Sequence, residues 1–181
     1  MNVAIIGTGY VGLTTGACLA FLGHKVTCVD ADERKVQALV DGKIPFYEPY
    51  MEELVADARE NLKFTTSYAE AIPGAHVVFI AVGTPSRRGD GHADLSYVYA
   101  AAEEIGRALT GYAVVVTKST VPVGRGREVA RRIRAVRPDA SFDVVSNPEF
   151  LREGSAIGDF MRPDRVVIGT DSERARETMR A

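Results

Sequence analysis

The stretch Val3-Ala4-Ile5-Ile6-Gly7-Thr8-Gly9-Tyr10-Val11-Gly12-Leu13 decides the fold. A short run of branched apolar residues ends on glycines spaced G-x-G-x-x-G and continues into an apolar segment, Leu13 to Leu22, of helical length. Strand, glycine turn and helix in that order put Gly7 in the tight turn and Gly9 where backbone approaches a ligand. They put Gly12 where the helix presses on the strand. The first N–H groups of such a helix lack partners within it and point towards the turn, an arrangement that suits a pyrophosphate. Taken alone, the glycines also fit a turn that merely needs positive φ.

The next apolar run, Lys25 to Val29, ends on Asp30. That is roughly the 20-residue offset at which an acid accepts hydrogen bonds from a ribose and repels a 2′-phosphate. The pair of signals points to a dinucleotide and favours NAD over NADP. Lys35, one turn into the following helix, keeps an adenosine-side phosphate open, and Asp30 also fits as the cap of that helix.

Working outward, further short β-branched runs follow at Leu62 to Thr65, Val77 to Val82, Ala113 to Thr117, Phe142 to Val145 and Arg165 to Ile168, for an expected seven strands. Helical faces alternate with them: Val36, Leu39 and Val40; Val98, Ala102, Ile105 and Leu109; Val129, Ile133 and Val136. Such alternation predicts a Rossmann-type, doubly wound α/β fold whose sheet is mainly parallel and flanked by helices. No internal repeat or linker interrupts the chain, and Pro85 to Asp94 reads as a polar loop. Ser172 to Ala181 reads as a charged helix with little to bury, an expectation of a chain that continues.

The 181 residues, 46% hydrophobic and 25% charged, suit one globular domain with a full core. A net charge of -2, with basic and acidic residues interspersed, argues against nucleic acid as a partner. The longest apolar run is too short to cross a bilayer, and the start carries no basic leader, so a cytoplasmic protein without a membrane partner is expected. Cys18 and Cys28 stand at no metal-ligand or disulfide spacing, so no metal site is expected.

In open α/β sheets ligands bind beyond the carboxyl ends of the strands. Here those ends are polar: Gly83-Thr84-Pro85, Lys118-Ser119-Thr120-Val121-Pro122 and Ser146-Asn147-Pro148-Glu149. Each also reads as an ordinary turn, and Asn147-Pro148-Glu149 as a helix start with cap, proline and first-turn acid. On that helix Glu149 and Glu153 share a face, where two carboxylates repel unless something separates them.

Five motifs together carry a family resemblance: Gly7 to Leu13, Pro45-Phe46-Tyr47-Glu48-Pro49, Val82-Gly83-Thr84-Pro85, Lys118 to Gly124, and Asn147-Pro148-Glu149-Phe150-Leu151-Arg152-Glu153-Gly154. In order and over nearly the whole chain they resemble the UDP-glucose and GDP-mannose dehydrogenases, and Asp159 to Gly169 is closer to the UDP-glucose branch. A methyltransferase using S-adenosylmethionine shares the glycine loop and the strand-end acid but not the later motifs.

The resemblance implies oxidation of a UDP-sugar's C6 alcohol to a carboxylate with two NAD and no metal, by way of a cysteine thiohemiacetal and thioester. It puts Gly7, Gly9, Tyr10, Val11 and Gly12 in the cofactor turn and Asp30 and Lys35 on the adenosine side. Thr84 and Ser119 fall near the ribose or nicotinamide end. It makes Thr120 the holder of a catalytic water, Glu149 the acid/base group, and Phe150, Leu151, Arg152 and Glu153 contacts to the sugar, with Glu153 also near the nicotinamide. The family's nucleophilic cysteine, a sugar-binding lysine and an aspartate lie downstream, in a central helix and second nucleotide domain absent from these residues. Residues 1–181 are therefore expected to be the NAD-binding N-terminal domain, inactive by itself, of an enzyme that is a homodimer at full length. A separate NAD-responsive regulatory module and a dehydrogenase of another sugar nucleotide are the alternatives.

Overall fold

Burial explains which runs become strands. A computed structural model describes residues 1–86, 93–118 and 126–181. Its sheet contains β1 (Asn2–Ile6), β2 (Lys25–Val29), β3 (Leu62–Thr65), β4 (Val77–Ile80), β5 (Ala113–Thr117) and β6 (Phe142–Ser146). The strand order is β3-β2-β1-β4-β5-β6, and every pairing is parallel. Central strands covered on both faces read as nearly continuous apolar runs, and β4 and β5 are buried throughout, with Thr117 at the end of β5 the polar exception between them. Successive side chains serve opposite layers: Val3 and Ile5 join one core cluster, Ala4 and Ile6 the other.

The first layer holds α1 (Tyr10–Phe21), α3 (Met51–Asp57), α7 (Ala156–Met161) and α8 (Glu173–Arg180). The second holds α4 (Tyr68–Ala71), α5 (Ser96–Ala108) and α6 (Gly126–Val136). Two-sided cover explains why α1 is apolar nearly all round, with Leu13, Ala17, Cys18 and Ala20 all fully buried. The chain runs β1, β2, β3 towards one edge, then crosses back to lay β4 beside β1 and proceeds to β6. The reversal therefore falls between β1 and β4, where such sheets open a crevice. Among the described residues no helix is long and apolar enough to cross a membrane.

Several expectations are corrected. Arg165 to Ile168 is not a seventh strand. Beyond β6 there is one antiparallel bridge, Ser146 to Gly169, while the Asn147 side-chain amide takes the Val167 carbonyl at 2.8 Å. A side chain thus satisfies the backbone where a ladder was expected. β4 stops at Ile80 rather than Val82, although the Ala81 N–H still donates to the Ile6 carbonyl at 2.8 Å. Val40, assigned to the apolar face of α2 (Glu33–Val40), is exposed at the helix end while Val36 and Leu39 are buried. In α8, Ser172 caps the helix by accepting from the Ala175 N–H, and Ala175 and Met179 pack on the core.

Both cysteines are fully buried and free, and burial pushes each thiol up to about 12. Cys28 also limits the approach of α1. A Cβ on Gly16 would stand 2.7 Å from the Cys28 sulfur, closer than packed atoms allow. Gly16→Ala should cost about 1–3 kcal/mol despite the better helix propensity of alanine. The double variant with Cys28→Ala should be more stable than the sum of the single effects by about 1 kcal/mol in urea unfolding. Additive losses would show that the contact is relieved elsewhere.

Candidate functional site

The glycine turn forms at the end of β1. Gly7 has φ +102°, donates its N–H to the Val29 carbonyl at 2.7 Å, and leaves no room for a Cβ, which would stand 2.6 Å from the Ala81 carbonyl oxygen. At Gly12 a Cβ would come 1.9 Å from the Gly7 oxygen, so only glycine lets α1 start against the turn. Gly9 contrasts with both, for nothing lies within 4 Å of its Cβ position. The first helical bond, from the Leu13 N–H to the Gly9 carbonyl at 2.9 Å, leaves the N–H groups of Tyr10, Val11 and Gly12 outside the helical ladder. Backbone donors beside open space make a cradle for an anion, and a dinucleotide's pyrophosphate fits it.

Asp30 closes the neighbouring turn. Its Oδ2 accepts from the Thr8 N–H at 2.9 Å, the Thr8 hydroxyl at 2.6 Å and the Lys35 ammonium at 3.1 Å; its Oδ1 accepts from the Asp32 N–H at 3.1 Å. Burial raises its pKa, but the bonds from Thr8, Asp32 and Lys35 outweigh that and hold the carboxyl below its ordinary value. The capping role weighed for Asp30 belongs to Asp32, which accepts from the Arg34 and Lys35 N–H groups. Lys35 is therefore not simply solvated, because it neutralises the acid that faces the turn.

Further along the same edge, Thr84 lies half-buried in the loop after β4, whereas Ser119 and Thr120 fall outside the described residues. Lys118, directly after β5, is buried between the rings of Phe79 and Phe160, at 6.0 and 5.8 Å. Burial lowers its pKa and the charge of Glu149 opposes that shift. A cavity of about 600 Å³ opens here, and its walls include Lys118, Asn147, Glu149, Phe150, Leu151 and Arg152.

The 147–155 segment is not the helix its sequence suggests, and Glu149 and Glu153 share no helical face. Side-chain carboxylates take the backbone donors instead. Glu149 accepts from the Leu151 N–H at 2.6 Å, Asp159 from the Arg152 N–H at 2.9 Å, and Glu48 from the Gly154 and Ala156 N–H groups at 2.9 and 2.8 Å. Arg152 also pairs with Asp159 through its guanidinium, which holds that carboxyl down at about 2. Phe150 and Glu153 are exposed, with the Arg165 guanidinium over the Phe150 ring at 4.7 Å. Glu149, Phe150, Leu151 and Arg152 thus line the cavity from one carboxylate-pinned loop, and Glu153, exposed on the same loop, is not part of that lining.

Glu48 received no role from the sequence reading. The available signal was a charged residue between Tyr47 and Pro49, in a segment with no periodic solvent face. Burial raises its pKa, but hydrogen bonds from Tyr10, Gly154, Ala156 and Ile157 prevail and hold it below the usual carboxylate range. A depressed carboxyl stabilises the fold fully above its unfolded pKa of about 4.3 and loses that contribution as pH falls through its lower folded value. Glu48→Gln should therefore lower the urea midpoint at pH 7, with the variant and parent curves converging in acid. A constant difference at all pH values would contradict this charge assignment.

The whole chain matches the model of the UDP-glucose/GDP-mannose dehydrogenase family NAD binding domain, over residues 1–181. It is 61% identical over 183 residues to the UDP-glucose 6-dehydrogenase of Rhizobium meliloti (strain 1021), covering 99% of this chain and 42% of that protein. It is 52% identical to the UDP-glucose 6-dehydrogenase TuaD of Bacillus subtilis (strain 168), over 96% of this chain and 38% of that one. The UDP-glucose dehydrogenase structure from Pyrobaculum islandicum superposes with a TM-score of 0.93 at 44% identity, covering 98% of this chain and 42% of that chain. A GDP-mannose dehydrogenase ternary complex from Pseudomonas aeruginosa gives 0.94 at 36%, over 99% and 43%. The chain thus spans about two fifths of these relatives' length, and it belongs to the UDP-glucose/GDP-mannose dehydrogenase family as its NAD-binding domain.

Proposed function

We propose that these residues form the cofactor half of an NAD-dependent UDP-glucose 6-dehydrogenase, which oxidises the sugar's C6 alcohol to the carboxylate of UDP-glucuronate with two NAD per sugar. The observation that carries this reading is one crevice edge bearing both the glycine turn, closed by Asp30, and the 147–156 loop. The 61% identity to a UDP-glucose 6-dehydrogenase favours UDP-glucose over other sugar nucleotides.

In this reading the backbone of Gly7, Gly9, Tyr10, Val11 and Gly12 holds the pyrophosphate, and Asp30 accepts from the adenosine ribose hydroxyls with Lys35 beside it. Thr84 and Ser119 are assigned to the ribose or nicotinamide end. NAD supplies the oxidising equivalent when bound. Glu149 moves the proton of the reacting group, Thr120 holds the water that releases the acid, and Phe150, Leu151, Arg152 and Glu153 orient the sugar. The thiol comes from residues beyond this chain, since Cys18 and Cys28 are sealed in the core.

Calorimetric titration with NAD, NADP and S-adenosylmethionine tests the cofactor assignment, and turnover of UDP-glucose against GDP-mannose by the full-length protein tests the substrate. Asp30→Asn keeps an acceptor for the Thr8 N–H but removes the charge that pairs with Lys35. The ratio of NAD to NADP affinity should narrow about tenfold or more, about 1.4 kcal/mol. Glu149→Gln should leave NAD affinity within about twofold while abolishing turnover in the full-length protein. An unchanged cofactor ratio in Asp30→Asn would displace the ribose from this position.

A further inference from the structure

Glu48 lies between α2 and α3, in neither helix, and its residue is 6% exposed. A buried carboxylate needs compensation. Among the described residues no cation pairs with it; donors from two distant segments do. Its Oε2 accepts from the Tyr10 hydroxyl at 2.5 Å and from the Gly154 N–H at 2.9 Å, and its Oε1 accepts from the Ala156 N–H at 2.8 Å. Tyr10 opens α1 inside the glycine turn, whereas Gly154 and Ala156 close the loop that carries Glu149 to Glu153.

Tyr10 thus has its two ends in two places. Its backbone N–H belongs to the anion cradle, and its hydroxyl meets Glu48 at 2.5 Å and, more loosely, the Arg152 carbonyl of the loop at 3.2 Å. Between them the ring packs against Phe46, with centroids 5.1 Å apart and the planes tilted by 58°. A hydrogen bond to a carboxylate is shorter and stronger than one between neutral groups. The hydroxyl keeps its proton through neutral pH, because burial and the neighbouring Glu48 raise its pKa.

We propose that Glu48 is a positioning residue that couples occupancy of the glycine turn to order in the 147–156 loop, with Tyr10 as the link. This rests on the reading of the turn as the NAD site. An anion that fixes the first turn of α1 fixes Tyr10, hence Glu48, hence the amides of Gly154 and Ala156. The coupling is reciprocal, so a sugar nucleotide that orders the loop tightens the turn in the same measure. A brace without this role would hold the loop equally with and without cofactor.

Amide hydrogen exchange at Gly154 and Ala156, with and without saturating NAD, separates the two. In the parent chain NAD should slow both amides about fivefold or more. In Glu48→Gln and in Tyr10→Phe, at NAD concentrations shown by calorimetry to saturate each variant, the slowing should fall below about twofold. Tyr10→Phe retains the ring and its packing, so it tests the link even if Glu48→Gln does not fold. Equal slowing in the variants, or none in a parent chain that binds NAD, would overturn the coupling. A parent chain that does not bind NAD would instead overturn the assignment of the turn, and the coupling with it.

Discussion

Parallel pairing is the constraint on which the rest of this structure depends. Strands that all run one way must return through crossovers, and right-handed crossovers place helices on both faces. Covered on two sides, the central strands are apolar along most of their length, and Val77–Ile80 and Ala113–Thr117 contain no solvent-facing position, the hydroxyl of Thr117 being met by the Val145 carbonyl. The same constraint delivers every strand's carboxyl end to one edge of the sheet. The carboxyl ends of β1, β2, β4, β5 and β6 become neighbours there although they lie far apart in sequence.

Pinned loops then convert that edge into a site. Three carboxylates meet their electrostatic needs differently. Asp30 combines a lysine with a hydroxyl and two amides, and Asp159 relies chiefly on Arg152. Glu48 uses backbone amides and a tyrosine. The third solution joins segments more than a hundred residues apart, as the Glu48 to Ala156 separation of 108 shows. Fixed dipoles brought by the fold replace a mobile counter-charge, so the position of the acid depends on tertiary structure rather than on a flexible partner.

Much of this was legible in the sequence, because burial and periodicity leave local traces. The first six strands, the glycine turn and the Asp30 position could be read from neighbouring residues alone. The failures share one cause: donors and acceptors supplied from elsewhere. Asn147-Pro148-Glu149 has the local grammar of a helix start, yet Glu48, Glu149 and Asp159 claim the amides that a helix would have used. Arg165 to Ile168 is β-branched enough for a strand, but the Asn147 side chain takes the Val167 carbonyl and the pairing reduces to one bridge. Glu48 could not be placed at all, since nothing within ten residues of it reveals that Tyr10 and Gly154 will arrive.

The sealed cysteines have a practical consequence. Both thiols of the sequence sit in the first core layer with their ionisation suppressed, so the folded surface offers no competing soft nucleophile. A single cysteine introduced at an exposed position such as Phe150, 49% exposed, would be the one accessible thiol of residues 1–181. A fluorophore there would report on the 147–156 loop directly, without first removing Cys18 and Cys28 and disturbing the packing of α1 on β2.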